Sequence, residues 1–239
     1  MFRKLLIAAI SVFTITGCET LSKLPGAYGG GVSQAEAGEG IRQALAQGIT
    51  TAIFNLNRED GFFGNNVYKL LLPPDAQKIE RTLRNIGLGS QVDRAVLQIN
   101  RAAENAVGFA KPIFVNAIQQ MTIQDALNII RGDNTAATDY FRQKTKDQLM
   151  VAFSPSIKES LDNLQATKYY GDIINVYNRL PTTSNKIDPD LTSYVVDKAT
   201  DALFDQIAKE EQNIRANPVA RTTEILKKVF GNIGRTSNL

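Results

Sequence analysis

The chain predicts an all-α fold, a single compact bundle of about eight to ten helices with no sheet. Apolar residues recur at three- and four-residue steps over nearly its whole length, the spacing of one face of an α-helix. Ser, Thr and Asp caps, prolines and glycines punctuate these stripes at helix-length intervals. No stretch alternates apolar and polar residues between turn residues as a half-buried strand does. The loops between stripes are short, about 2 to 10 residues, which favours one bundle over separate domains.

The first stripe runs through Ile41, Leu45, Ile49, Ile53 and Leu56. It gives way to Glu59-Asp60-Gly61-Phe62-Phe63-Gly64-Asn65-Asn66, whose glycines and asparagines suit turns. Pro73-Pro74-Asp75 opens a helix carrying Ile79, Leu83 and Ile86, closed by Gly87 and Gly89. Ser90 with Asp93 has the form of a capping box ahead of Val92, Val96, Ile99, Ala103, Ala106 and Phe109. Pro112 falls within this run, so a kink or restart is expected near Ala110-Lys111, with Ile113, Phe114, Ala117, Ile118 and Met121 beyond it. Thr122 and Asp125 repeat the box before Ala126, Ile129 and Ile130, and Gly132 ends that helix. Tyr140, Phe141, Leu149 and Phe153 mark another helix, and Ser154-Pro155 reads as a cap with proline at the first helical position of a new one. The same grammar returns at Asp188-Pro189 and Asn217-Pro218, with Gly231 as the last stop.

The N-terminus carries an address. Arg3 and Lys4 precede an apolar run of about a dozen residues, too short for the roughly 20 that cross a bilayer but fitting for a cleaved export signal. Its ending, Ile15-Thr16-Gly17-Cys18, resembles the lipobox of bacterial lipoproteins. That resemblance implies a diacylglycerol on the Cys18 sulfur, cleavage before Cys18, and acylation of the new amine, palmitate being the expected chain. A thiolate is the nucleophile such a transfer needs. An ordinary signal peptide with a cysteine near its cut is the alternative. Residues 1–17 are thus read as a signal peptide, 18–33 as a lipidated glycine-rich tether, and 34–239 as the helical domain. A tether of roughly 15 residues reaches about 20–25 Å, so the domain can sit near a membrane surface without touching it. Glu19 follows the cysteine; in lipoproteins of Gram-negative type an aspartate there holds the protein at the inner membrane, so the outer membrane is favoured here.

Composition excludes several chemistries. The formal charge is +3, from 27 basic and 24 acidic residues, and loss of Arg3 and Lys4 leaves 25 against 24. The remaining charges alternate in sign, as in Lys209-Glu210-Glu211 and Arg215, the pattern of a solvated helix face. No basic cluster points to nucleic acid. There is no histidine, which removes the commonest general base, the histidine-dependent triads and the usual nitrogen ligand for zinc. Cys18 is the only cysteine, and lipidation consumes it. No cofactor or metal is expected: the glycine run lacks the Lys-Ser/Thr of a phosphate loop, and Asn185, Asp188 and Asp190 fall short of a calcium loop.

Several polar strings are open to two readings. Asn100, Arg101 and Glu104 lie in an apolar helix and form either a polar pocket or recognition patch, or an exposed ion pair worth at most about 0.5 kcal/mol. Asp139, Tyr140, Arg142, Lys144 and Thr145 either present Arg142 to an anion or are a solvated face with Phe141 and Thr145 turned inward. The Phe62-Phe63 loop is either a membrane or partner contact or a plug for the bundle end. Paired carboxylates, Glu59-Asp60 or Asp188/Asp190, are the remaining route to hydrolysis without histidine, and need two acids about 5–9.5 Å apart across a cleft.

Glu59-Asp60-Gly61-Phe62, Thr82-Leu83-Arg84 with Gly87-Leu88-Gly89, and Asn100-Arg101-Ala102-Ala103-Glu104 resemble an uncharacterised family of bacterial exported proteins, the domain of unknown function 4197. So do Lys111-Pro112-Ile113-Phe114 through Asp125-Ala126, Ala136-Ala137-Thr138-Asp139-Tyr140-Phe141-Arg142 with Lys144-Thr145, and Asn217-Pro218-Val219-Ala220-Arg221-Thr222-Thr223. The strings keep the family's order over about residues 35–231. The resemblance supplies no activity and no catalytic residues. A periplasm-facing, lipid-anchored module binding an envelope protein, a lipid or a small apolar ligand between its helices is the expectation. The alternative is a histidine-independent hydrolase or lyase acting through carboxylates on cell-wall or lipid substrates.

Overall fold

The structure is a computed structural model that describes residues 27–28, 32–163, 165–179, 186–187, 190–221, 224 and 227. The expected leader and lipidation site, Cys18, together with Asn185, Asp188-Pro189 and Gly231, lie outside the described residues. Among the described residues eight α-helices follow one another: α1 Gln34–Leu56, α2 Pro74–Asn85, α3 Gly89–Val107, α4 Ala110–Gln119, α5 Ile123–Arg131, α6 Ala136–Asn163, α7 Ala166–Asn178 and α8 Thr192–Ala216. A 3-10 turn, Pro218–Ala220, comes after α8. Ala27–Tyr28 pairs antiparallel with Val32–Ser33, a two-residue ladder that adds no layer. The fold is all-α.

Local chemistry accounts for most boundaries. Ser33 caps α1 in a capping box with Glu36, a signal that sequence analysis passed over. Thr122 and Asp125 form the expected box at α5. Pro112 sits in the first turn of α4, where its missing N–H costs nothing, so the apolar run restarts at Ala110 as expected.

Two expectations are corrected. Ser90 and Asp93 form no capping box: α3 starts at Gly89, the Ser90 hydroxyl donates to Gln91, and Asp93 takes the guanidinium of Arg84 at 2.7 Å. Arg84 also holds Glu80, and its hydrogen bond to Asp93 keeps that carboxyl below the usual carboxylate range. Nor does Pro155 begin a helix. It lies inside the continuous α6, on the exposed side of the helix. The buried column Phe141, Leu149, Phe153, Ile157 and Leu161 holds the axis through it.

α8 lies at the middle of the bundle, packed by α1, α3 and α6, while α4 and α5 close over α1. Phe114 of α4 meets Phe141 of α6 and Phe204 of α8 edge-to-face, with ring centroids 5.7 and 6.1 Å apart. Such pairs add about 0.5–1.5 kcal/mol each beyond area burial. Between α1, α5 and α8 lies an apolar crevice of about 30 Å³ lined by Ile41, Ile49, Ile129 and Ile214. That is room for about one water, so no ligand-sized space opens there.

The two candidate boxes make a paired test. Thr122→Ala removes a formed cap and is expected to cost about 1 kcal/mol in urea unfolding. Ser90→Ala should leave the midpoint unchanged, since its hydroxyl serves no helix N–H.

Candidate functional site

Residues 57–73 join α1 to α2 without regular structure and lie across α3 and α8. A segment like this buries backbone donors that no helix or strand satisfies, and each must find a partner. α3 supplies the partners from one polar stripe. Glu104, of which 4 % is exposed, accepts the N–H groups of both Phe62 and Phe63 on one carboxylate oxygen, at 3.1 Å each. Its other oxygen takes Arg101 at 2.7 Å, and Arg101 reaches on to Glu59 at 3.2 Å and Asp60 at 3.0 Å. One turn earlier, fully buried Asn100 accepts from Leu70 N and donates to Leu70 O, both at 2.8 Å. Its side-chain amide thus pairs with Leu70 as a neighbouring strand would.

Arg101 and Glu104 are therefore far from a plain exposed ion pair. Together they are the clamp of the 57–73 segment, and Glu59 and Asp60 are drawn to the same guanidinium. The clamp fixes tight backbone around it. A Cβ at Gly61 would run into the Leu56 carbonyl, and Asp60 adopts φ +64°. Phe62 is fully buried in the core. Phe63 is half-buried between two cations, Lys69 Nζ 4.2 Å and the Arg101 guanidinium 5.7 Å from its ring centroid. Among the described residues the phenylalanines that stand exposed are instead Phe54, 67 %, and Phe109, 53 %.

The second polar string is spread out by its helix. Phe141 and Thr145 turn inward, the Thr145 hydroxyl donating to the Phe141 carbonyl. Arg142 lies 4.5 Å over the Phe204 ring and 3.8 Å from Asp201. Asp139 faces Thr135, half-buried Tyr140 packs edge-on against Phe141, and Lys144 lies 5.9 Å from the Tyr140 ring. Asp139, Arg142 and Thr145 are each held by a different partner.

Sequence analysis missed a second clamp. Glu211, read as part of a solvated face, is buried and accepts the N–H groups of Ala137 (3.0 Å) and Thr138 (2.9 Å) and the Thr138 hydroxyl (2.8 Å) at the start of α6. Arg215 pairs with it at 2.8 Å and donates to the Ile129 carbonyl. The phase of Glu211 could have revealed it, four residues after Ile207 and three before Ile214 on the core stripe.

Where the clamped segment meets α8 an open groove of about 460 Å³ forms, lined by Val67, Lys69, Leu71, Tyr194, Lys198 and Asp201, among others. Two tyrosines fix its walls. The Tyr194 hydroxyl donates to the Leu71 carbonyl at 3.0 Å. Tyr68 receives a hydrogen bond from Lys209 at 2.8 Å, and its own hydroxyl lies 2.7 Å from Asp205 and 2.9 Å from Gln206. Burial pushes the Tyr68 phenol up, so it stays protonated. Burial would also raise Asp205, but hydrogen bonds from Lys209 and Tyr68 outweigh it and hold the carboxyl below its ordinary range. Another groove, of about 560 Å³, lies between α7 and the start of α8, with Lys158, Lys168, Asp172 and Asp190 on its walls. Among the described residues there is no group of three or more acidic, Cys or His side chains able to hold a metal, and no helix long and apolar enough to cross a membrane.

Glu104→Ala is expected to cost about 3–5 kcal/mol, because it strands two buried N–H groups and a partly buried guanidinium. Arg101→Ala should cost less, since Glu104 keeps its two backbone donors. Urea unfolding gives the order, and hydrogen exchange should show the Phe62 and Phe63 amides losing protection first in the Glu104 variant.

No curated protein and no solved structure matches this chain. A family model described as protein of unknown function (DUF4197) matches residues 31–231, a span that takes in both clamps and the groove. The chain belongs to that family.

Proposed function

We propose that this protein is a lipid-anchored, periplasm-facing component of the cell envelope that acts by binding, with the groove between residues 67–72 and α8 as its contact surface. The observation carrying the binding reading is that this groove is built in advance. One wall is pinned through its backbone by Asn100 at Leu70 and Tyr194 at Leu71, behind the Glu104 clamp at Phe62 and Phe63, so little ordering remains to oppose a partner. Its volume falls within the range of about 300–1,000 Å³ typical of ligand sites. The acids beside it favour binding over carboxylate chemistry. Asp205 is paired with Lys209 and held below the usual carboxylate range, and a carboxylate kept ionised is a poor general acid.

The anchor reading rests on Cys18 and the leader before it. The absence of aspartate at position 19 favours the outer membrane.

Each half has its own test. Cys18→Ser is expected to release the protein from the membrane fraction; unchanged membrane association would remove the lipid anchor. For the groove, a photo-cross-linking residue at Leu71, which is 50 % exposed, should give adducts in intact cells. The same probe at Val151, 75 % exposed on α6, should not. Equal labelling at both positions would overturn the groove as the contact surface.

A further inference from the structure

The rim of the groove carries a repeat. Along residues 67–72 exposure alternates: Val67, Lys69 and Leu71 are exposed, whereas Tyr68, Leu70 and Leu72 are buried. Val67 stands on a turn, closed by the Lys69 N–H on the Asn65 carbonyl at 2.9 Å, and beyond it Leu70 turns its backbone to the Asn100 amide as a strand residue would. Lys69 and Leu71, on either side of Leu70, therefore offer a cationic and an apolar group on the open side of the rim, the alternation an extended chain matches, with the apolar Val67 at the turn before them. The opposite wall, on α8, offers Tyr194, Lys198 and Ala202, each four residues from the next and so on one helix face.

The lining holds two acids and two lysines, and among the described residues only the acids have an ion pair. Asp201 and Asp205 are each paired with a cation of their own, Arg142 and Lys209. Lys69 and Lys198 have no ion pair among the described residues, and Lys69 rests on the ring of Phe63. Two lysines in one concavity are left with unneutralised charge. A negatively charged partner meets them without displacing any ion pair already formed. The concave shape separates candidate anions: an extended chain can enter a groove of this size, whereas a bilayer presents its headgroups as a plane.

We propose that the groove binds an extended acidic peptide segment of an envelope protein, with an acidic and an apolar side chain at alternate positions set against Lys69 and Leu71. Lys198 meets the same acidic stretch from the α8 side. This rests on the groove reading above and adds the class of partner.

The test uses the full-length protein in neutral detergent and a fluorescein-labelled peptide with leucine and glutamate in turn at alternate positions and serine between. Fluorescence anisotropy should show binding that weakens as salt is raised. The same peptide with lysine for glutamate should not bind. Lys69→Glu combined with Lys198→Glu changes two exposed side chains, and an unchanged melting temperature will verify that the fold is kept. The double variant should bind the acidic peptide at least about tenfold more weakly. Binding unaffected by the double variant, or equal binding of both peptides, overturns the proposal. So does lysine-dependent binding to phosphatidylglycerol vesicles in place of the peptide. Adducts at position 71 in cells without acidic-peptide binding overturn the partner class alone, whereas absence of those adducts overturns the groove reading beneath it.

Discussion

A single buried carboxylate, that of Glu104, sets the path of the chain between its first two helices. The connection from α1 to α2 is long, irregular and in part buried, so its amides cannot be left to solvent. Glu104 takes two successive N–H groups from it and is itself neutralised by Arg101. With that anchor in place Phe62 enters the core, Leu70 reaches the Asn100 amide, and Tyr68 comes to lie on Asp205 and Lys209 of α8. The groove is a consequence of this route, since its one wall is the clamped segment.

The same device appears at the other side of α8. Glu211 and Arg215 hold the first turn of α6 much as Glu104 and Arg101 hold the phenylalanine loop. An anion at a helix start also matches the helix dipole, so Glu211 gains where Glu104 has no helix to complement. Buried ion pairs add little net stability because desolvation opposes the attraction. What they provide here is geometry. Each carboxylate accepts two adjacent N–H groups, which fixes both the position and the orientation of the segment it holds, and an apolar side chain of equal volume would satisfy neither donor.

Much of the helical plan was legible because it depends on neighbours a few residues apart. The stripe Ile41 to Leu56, the Thr122–Asp125 box and the restart before Pro112 are all local, and each stands where its pattern places it. Ser90 and Pro155 have the same local form and behave otherwise. Arg84, nine residues before Asp93, competes for its carboxylate, and the buried Phe153–Ile157–Leu161 column outweighs the break at Pro155. Of the candidate site residues, Arg101 and Glu104 were visible as polar groups in an apolar helix, but their partners lie about forty residues away. Glu211 was hidden by its charged neighbours Lys209 and Glu210, although its phase on α8 is that of the core.

The sequence by itself determined that the fold is all-α, that the chain has no histidine, and that its one thiol, Cys18, ends a short apolar run that resembles a lipobox. These follow from short-range spacing and from composition, which need no knowledge of what packs on what. Tertiary structure alone decided that Glu104 and Glu211 are clamps, that Phe62 is core and Phe63 a ring between two cations, and that Lys69 and Lys198 share a groove. A carboxylate, a ring or an ammonium group has the same local signature whether water or a distant backbone amide completes it. Only long-range packing, through the desolvation it imposes, selects between them.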